Sequence, residues 1–138
     1  MSKDADLYQR ELDRYRGQIA NEPQNALTRY GMTLINSLNP ADRALALKQW
    51  GIEITEPIDY YNLGVKFAQE ENWSEAILYF KRSVELDPEL TDAIYNLAIC
   101  YEKTGHTPQA RSTWEVYIGS VGDSSETFRV KEHLKELE

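Results

Sequence analysis

Apolar and polar residues follow one another along this chain with the 3.6-residue rhythm of amphipathic helices. Tyr60, Leu63, Gly64 and Phe67 stand at i, i+3, i+4 and i+7, which puts them in one stripe along a helix. Ala76 and Phe80 take i and i+4 on a second helix. Asn72-Trp73-Ser74 between them reads as a turn, with Ser74 the expected N-cap. Asp87-Pro88 then stops the second helix, because proline lacks a backbone donor and pushes the residue before it out of the α region. The spacing predicts a helical hairpin over residues 57–90, in which small Gly64 and Ala76 let the helices approach while Phe67 and Phe80 fill the space beside them.

The stripe recurs. Ile94, Leu97, Ala98, Tyr101, Ala110 and Trp114 repeat Tyr60, Leu63, Gly64, Phe67, Ala76 and Phe80 at one constant offset, 94 − 60 = 114 − 80 = 34. A fixed period of this size is the signature of a repeat architecture. The second copy, residues 91–122, carries Ala98 for the glycine and ends near Gly119 and Gly122 instead of a proline. Upstream, Leu27, Tyr30, Gly31 and Leu34 repeat the first-helix stripe, with Gly31 one position closer to Gly64 than the period requires. Asn39 as N-cap and Pro40 at N1 open a short helix with Ala44, Leu47 and Trp50, which Gly51 truncates. Residues 51–56 are expected to form an irregular connection, and residues 23–56 a degenerate first repeat.

The ends follow the same rhythm. Tyr8, Leu12, Tyr15 and Ile19 predict an amphipathic helix over about residues 6–20, stopped by Asn21-Glu22-Pro23. Asp123 with Glu126 is a capping-box-like start for a last helix, polar outside at Lys131, Glu132, Lys135 and Glu136. The expected organisation is a single domain: an N-terminal helix (1–22), a degenerate repeat (23–56), two repeats (57–90 and 91–122) and a capping helix (123–138).

These positions resemble the tetratricopeptide repeat: an aromatic or large residue, then Leu-Gly, Tyr, Ala, Phe and Pro at fixed offsets within the same period. The resemblance implies an all-α fold, a right-handed superhelix of antiparallel helical hairpins closed by terminal helices, with the first helix of each repeat lining a concave groove that binds peptides. Carried over residue by residue, the groove positions are Tyr61, Val65, Ala68 and Gln69, then Tyr95, Ile99, Glu102 and Lys103, with Ile58 and Asp92 ahead of each stripe. The degenerate repeat adds Thr28, Met32 and Ile35. Some relatives grip acidic chaperone tails with a clamp of Lys, Arg and Asn. Asn62 and Asn96 match the asparagine position, but Thr28, Met32 and Asp92 stand where the cations belong, so no such binding is expected.

Charge and chemistry narrow the function classes. A net charge of −8 argues against nucleic acid and anionic membrane as partners. Residues 57–90 carry Lys66, Lys81 and Arg82 against Asp59, Glu70, Glu71, Glu75, Glu85, Asp87 and Glu89, 3 − 7 = −4, which favours a basic partner. Cys100 is the sole cysteine, so no internal disulfide forms and a reducing cytoplasm is the expected home. No apolar run reaches the roughly 18 residues of a membrane span, and the chain's first residues show no signal-peptide pattern.

No catalytic or metal-ligating set emerges, and no cofactor is expected. His106 falls in a turn and His133 on the polar last helix, both read as surface residues; Cys100 reads as a small buried hydrophobe. Glu70, Glu71 and Glu75 ring an exposed turn, and Gly119 and Gly122 lack the Lys-Ser or Lys-Thr of a phosphate loop. The expected function is a non-catalytic interaction module that scaffolds a partner protein, holding an apolar or basic segment, extended or helical, in the groove. The alternative is a small cytoplasmic chaperone of the secretion or assembly type, which such short, acidic, three-repeat proteins resemble. Self-association stays open in both readings.

Overall fold

The computed structural model describes residues 38–137, and helix α1 (Pro40–Gln49) begins where Asn39-Pro40 predicts. The Asn39 side chain accepts the Asp42 backbone N–H at 3.0 Å, while its amide donates to the Asp42 carboxylate at 2.7 Å. Trp50 and Gly51 end the helix, and residues 51–56 run on without regular structure. Ala46 and Leu47 are buried there against Leu38, Trp50, Ile52 and Ile54. The expected helix over 6–20 and the stripe through Leu27, Tyr30, Gly31 and Leu34 lie outside the described residues, as do Thr28, Met32 and Ile35. Chain packing divides residues 1–54 from residues 55–138, and the site below belongs wholly to the second unit.

That unit holds two hairpins and a closing helix. Helix α2 (Pro57–Gln69) and α3 (Trp73–Leu86) form the first, α4 (Thr91–Lys103) and α5 (Thr107–Val121) the second, followed by α6 (Ser125–Glu136). The N-cap of α3 is Asn72, not Ser74. The turn is tighter than expected: Asn72 N–H returns to the Phe67 carbonyl at 2.8 Å, Glu71 takes a left-handed φ of 59°, and Trp73 is already helical. The start of α6 also differs. Ser124, not Asp123, is the cap, and Thr127 completes a reciprocal box: Ser124 Oγ accepts the Thr127 N–H at 3.1 Å and Thr127 Oγ1 accepts the Ser124 N–H at 2.9 Å. Thr127 is buried, and its short hydroxyl also reaches the Gly122 carbonyl at 2.8 Å, a fit the longer Glu126 side chain could not make.

Two apolar layers hold the hairpins together. Ala76 and Phe80 of α3 pack on Ala93, Leu97 and Cys100 of α4. Ile94 and Ala98 of α4 meet Trp114 and Tyr117 of α5 and Val130 of α6. Gly64 explains itself here: a Cβ on it would stand 2.6 to 2.9 Å from the Phe80 ring, which is fully buried. The glycine admits a ring face rather than a second backbone. Ser83, also fully buried, donates from Oγ to the Pro57 carbonyl at 2.8 Å and ties the end of α3 to the start of α2. Among the described residues there is no strand, and no helix is long and apolar enough to cross a membrane.

Candidate functional site

The repeat period sets α2 and α4 side by side, so residues at matching offsets line a shared depression. Tyr61, Val65, Ala68 and Gln69 of α2 and Asn96, Ile99 and Cys100 of α4 surround a cleft of about 320 Å³, floored by Trp73 and Phe80 of α3. Its walls are mostly apolar. Polar points are few: Asn96 Nδ2 donates to the Tyr61 hydroxyl at 3.3 Å, and Gln69 lies exposed at the rim. Burial, then the Asp92 carboxylate, raises the Tyr61 phenol above its ordinary value, and the Asn96 bond opposes this. Tyr61 therefore stays a neutral hydroxyl. Of the two asparagines singled out above, Asn96 is thus engaged, whereas Asn62 holds its Nδ2 buried with no hydrogen-bond partner.

A second cleft, about 370 Å³, lies between α4, α5 and α6. Tyr95, Ile99, Glu102 and Lys103 of α4 face Glu126, Arg129, Val130 and His133 of α6, with Trp114 of α5 beneath. Ile99 borders both clefts, making one continuous surface along α4. Eight of the ten groove residues expected on α2 and α4 therefore line it: Tyr61, Val65, Ala68 and Gln69 in the first cleft, Tyr95, Glu102 and Lys103 in the second, Ile99 in both. Ile58, 48% exposed, and Asp92 line neither, each sitting in the first turn of its helix.

Several of these side chains are already occupied. Tyr95 belongs to an aromatic group, edge-on to Trp114 at 5.0 Å and to Tyr117 at 5.4 Å between ring centroids. The Lys103 ammonium sits over the Trp73 ring, 5.8 Å from its centroid. Glu102 accepts the Trp114 indole N–H at 2.6 Å and binds His133 Nε2 at 2.9 Å through both oxygens. His133 stays partly at the surface, its side chain 43% exposed, but is bonded to an acid far away in the chain. The clue was Trp114 in place of Phe80, since a buried indole N–H requires an acceptor. The face of α6 that meets α4 gave no comparable clue, because its polar residues looked like solvent-facing ones.

The remaining candidates behave as ordinary side chains. Cys100 is 1% exposed, and burial pushes its thiol up to about 11. His106 is exposed and shares a hydrogen bond of 2.7 Å with Thr104 Oγ1 in the α4–α5 turn. Among the described residues, no three His, Cys, Asp or Glu side chains converge as metal ligands.

Comparison with known proteins agrees with this geometry. Residues 67–126 match a family model described as tetratricopeptide repeat, spanning the end of α2 through the first turn of α6. The Photosystem I assembly protein Ycf3 of Rippkaea orientalis is 29% identical over 104 residues, which is 75% of this chain and 51% of that protein. The chain thus spans about half the length of this curated relative. The crystal structure of the MamA protein superposes with a TM-score of 0.56 at 21% identity, over 99% of this chain and 87% of that one, a likeness of fold.

Proposed function

We propose that this chain, whose residues 67–126 match a tetratricopeptide-repeat model, is a non-catalytic interaction module of that family whose α2–α4 surface holds a segment of a partner protein. The observation that carries the reading is the cleft around Tyr61, Val65 and Ile99: an apolar, open depression with few polar groups among its lining residues. Such a surface rewards an apolar side chain for leaving water, at about 25 cal/mol per Å² buried. Tyr61 supplies a stiff ring and a neutral hydroxyl, the kind of anchor interfaces favour. The chain's acidity gives a basic segment an advantage in encounter. A single, buried, protonated cysteine suits a reducing, cytoplasmic setting.

A second reading is an assembly chaperone that holds a subunit transiently. It rests on the assembly role in the name of the relative, Photosystem I assembly protein Ycf3, and extends to no particular complex. Both readings use the same groove. They separate by lifetime: a scaffold copurifies with its partner at equal stoichiometry, whereas a chaperone is absent from the finished complex.

Site-specific photocrosslinking in native extract tests the groove. A benzophenone side chain at Gln69, on the cleft rim, should crosslink a protein that the same group at Leu78 does not; Leu78 is 60% exposed and lines neither cleft. Val65→Lys should abolish the Gln69 product while leaving helical content unchanged by circular dichroism. Equal products from Gln69 and Leu78, or survival of the product in the Val65 variant, would remove the groove from the account.

A further inference from the structure

Helix α6 is held to the repeats at a polar point that capping alone does not require. Its apolar side, Val130 with Leu134 and Leu137, covers Ile94, Ala98, Trp114 and Tyr117 and so closes the end of the second hairpin. Beside this layer, three helices meet on one carboxylate. Glu102 of α4 accepts from Trp114 Nε1 of α5 at 2.6 Å and pairs with His133 Nε2 of α6 at 2.9 Å. The indole and imidazole lie edge to face, 5.9 Å between centroids, which stacks the two donors around the same acceptor. The Glu102 side chain is only 22% exposed, so these bonds are partly shielded from competing water. Trp114 is 3% exposed and has no second acceptor for its N–H among the described residues.

We propose that Glu102 is a positioning residue: by holding Trp114 and His133 together it fixes α6 as the outer wall of the second cleft and so sets the shape of the groove's far end. Its consequence for partner choice rests on the groove reading above, whereas the docking of α6 does not. Glu102 was expected to meet the partner directly, but both its oxygens are taken inside the molecule. Charge recognition in this cleft falls instead to Glu126 and Arg129, which line it and form no ion pair among the described residues. Without Glu102 the indole loses its acceptor and α6 keeps its apolar contacts and the Arg111 bond to the Leu137 carbonyl, so the wall loosens while α2 and α3, which supply none of the hydrogen bonds at Glu102, stay as they are.

Hydrogen–deuterium exchange on the full chain, resolved by peptide, tests this with Glu102→Ala, Glu102→Gln and His133→Ala. In Glu102→Ala, amides of α6 should exchange at least tenfold faster than in the unmodified chain, with α2 and α3 unchanged. His133→Ala should give a smaller increase confined to α6. Glu102→Gln should restore most of the protection, because Oε2 lies within reach of both donors and an amide oxygen placed there can accept from each. Unchanged α6 protection in Glu102→Ala, an increase spread evenly over α2 to α6, or a Gln variant no better than Ala would each overturn the assignment. No partner enters this measurement. Failure of the Gln69 crosslink beside a selective loss in α6 would therefore remove the groove reading and leave Glu102 in its role.

Discussion

The two hairpins share one spacing and differ in what fills it. In the first, Gly64 faces the fully buried Phe80 ring, and Tyr61 tilts against that ring at 5.8 Å. In the second, Ala98 and Trp114 hold the matching positions, and the larger ring recruits Tyr95, Tyr117 and His133 around it, with Glu102 on its N–H. One phenylalanine-to-tryptophan difference thus separates an apolar cleft from one with a polar lock. The turns differ in the same way. Glu71 and Gly105, one period apart, both adopt positive φ, 59° and 77°, which glycine takes freely and glutamate at a cost. A repeat fixes where the backbone goes; the side chains at equivalent offsets decide what each unit can bind.

The largest way to break the comparison is to empty its centre. Phe80→Ala should cost about 3–5 kcal/mol by urea denaturation, since the ring is wholly buried and its neighbours are tied on three helices. A loss under about 1 kcal/mol would show that the first hairpin collapses around the cavity and that Phe80 is not its keystone.

Next is Cys100, at the offset where the first hairpin carries Lys66, a side chain loosely paired with Glu70 at 4.0 Å. With the thiol pushed from 9.0 to about 11, the thiolate fraction at pH 8 falls by two powers of ten. Native Cys100 should react with a thiol reagent at least about a hundredfold more slowly than in the unfolded chain, the rate climbing as pH approaches that value. Labelling at the unfolded rate would mean that the α3–α4 layer opens readily.

Gly64→Ala should then cost about 1–3 kcal/mol through overpacking, because its Cβ would meet Phe80 carbons at 2.6 to 2.9 Å. The mirror change, Ala98→Gly, should cost about 1 kcal/mol through helix propensity alone. Equal costs would show that the ring at Phe80 gives way and that the two positions are interchangeable. The smallest effect sharpens the turn comparison. Glu71→Gly should stabilise by about 0.5–1 kcal/mol, relief of left-handed strain outweighing the added freedom of the unfolded chain, and a thermal midpoint raised by a few degrees would register it.

Much of this was written in local order. The period of 34 located the hairpins, Asn39-Pro40 and Asp87-Pro88 marked helix ends, and eight of the ten positions carried over onto α2 and α4 line the two clefts. The caps were misplaced by one or two positions. Asn72, Ser74, Asp123 and Ser124 all favour capping, and the choice among them depends on how tightly the chain turns before each helix.

Sequence alone determined the helical periods, the breaks between them and the offsets that face a common surface, because each follows from side-chain spacing within a few turns. Tertiary structure alone decided that Gly64 makes room for a ring, that Cys100 stays a thiol and that Glu102 looks inward to Trp114 and His133. Those outcomes depend on contacts between helices, where distance in the chain says little about distance in space, and where burial decides whether a polar group must find its partner inside the molecule.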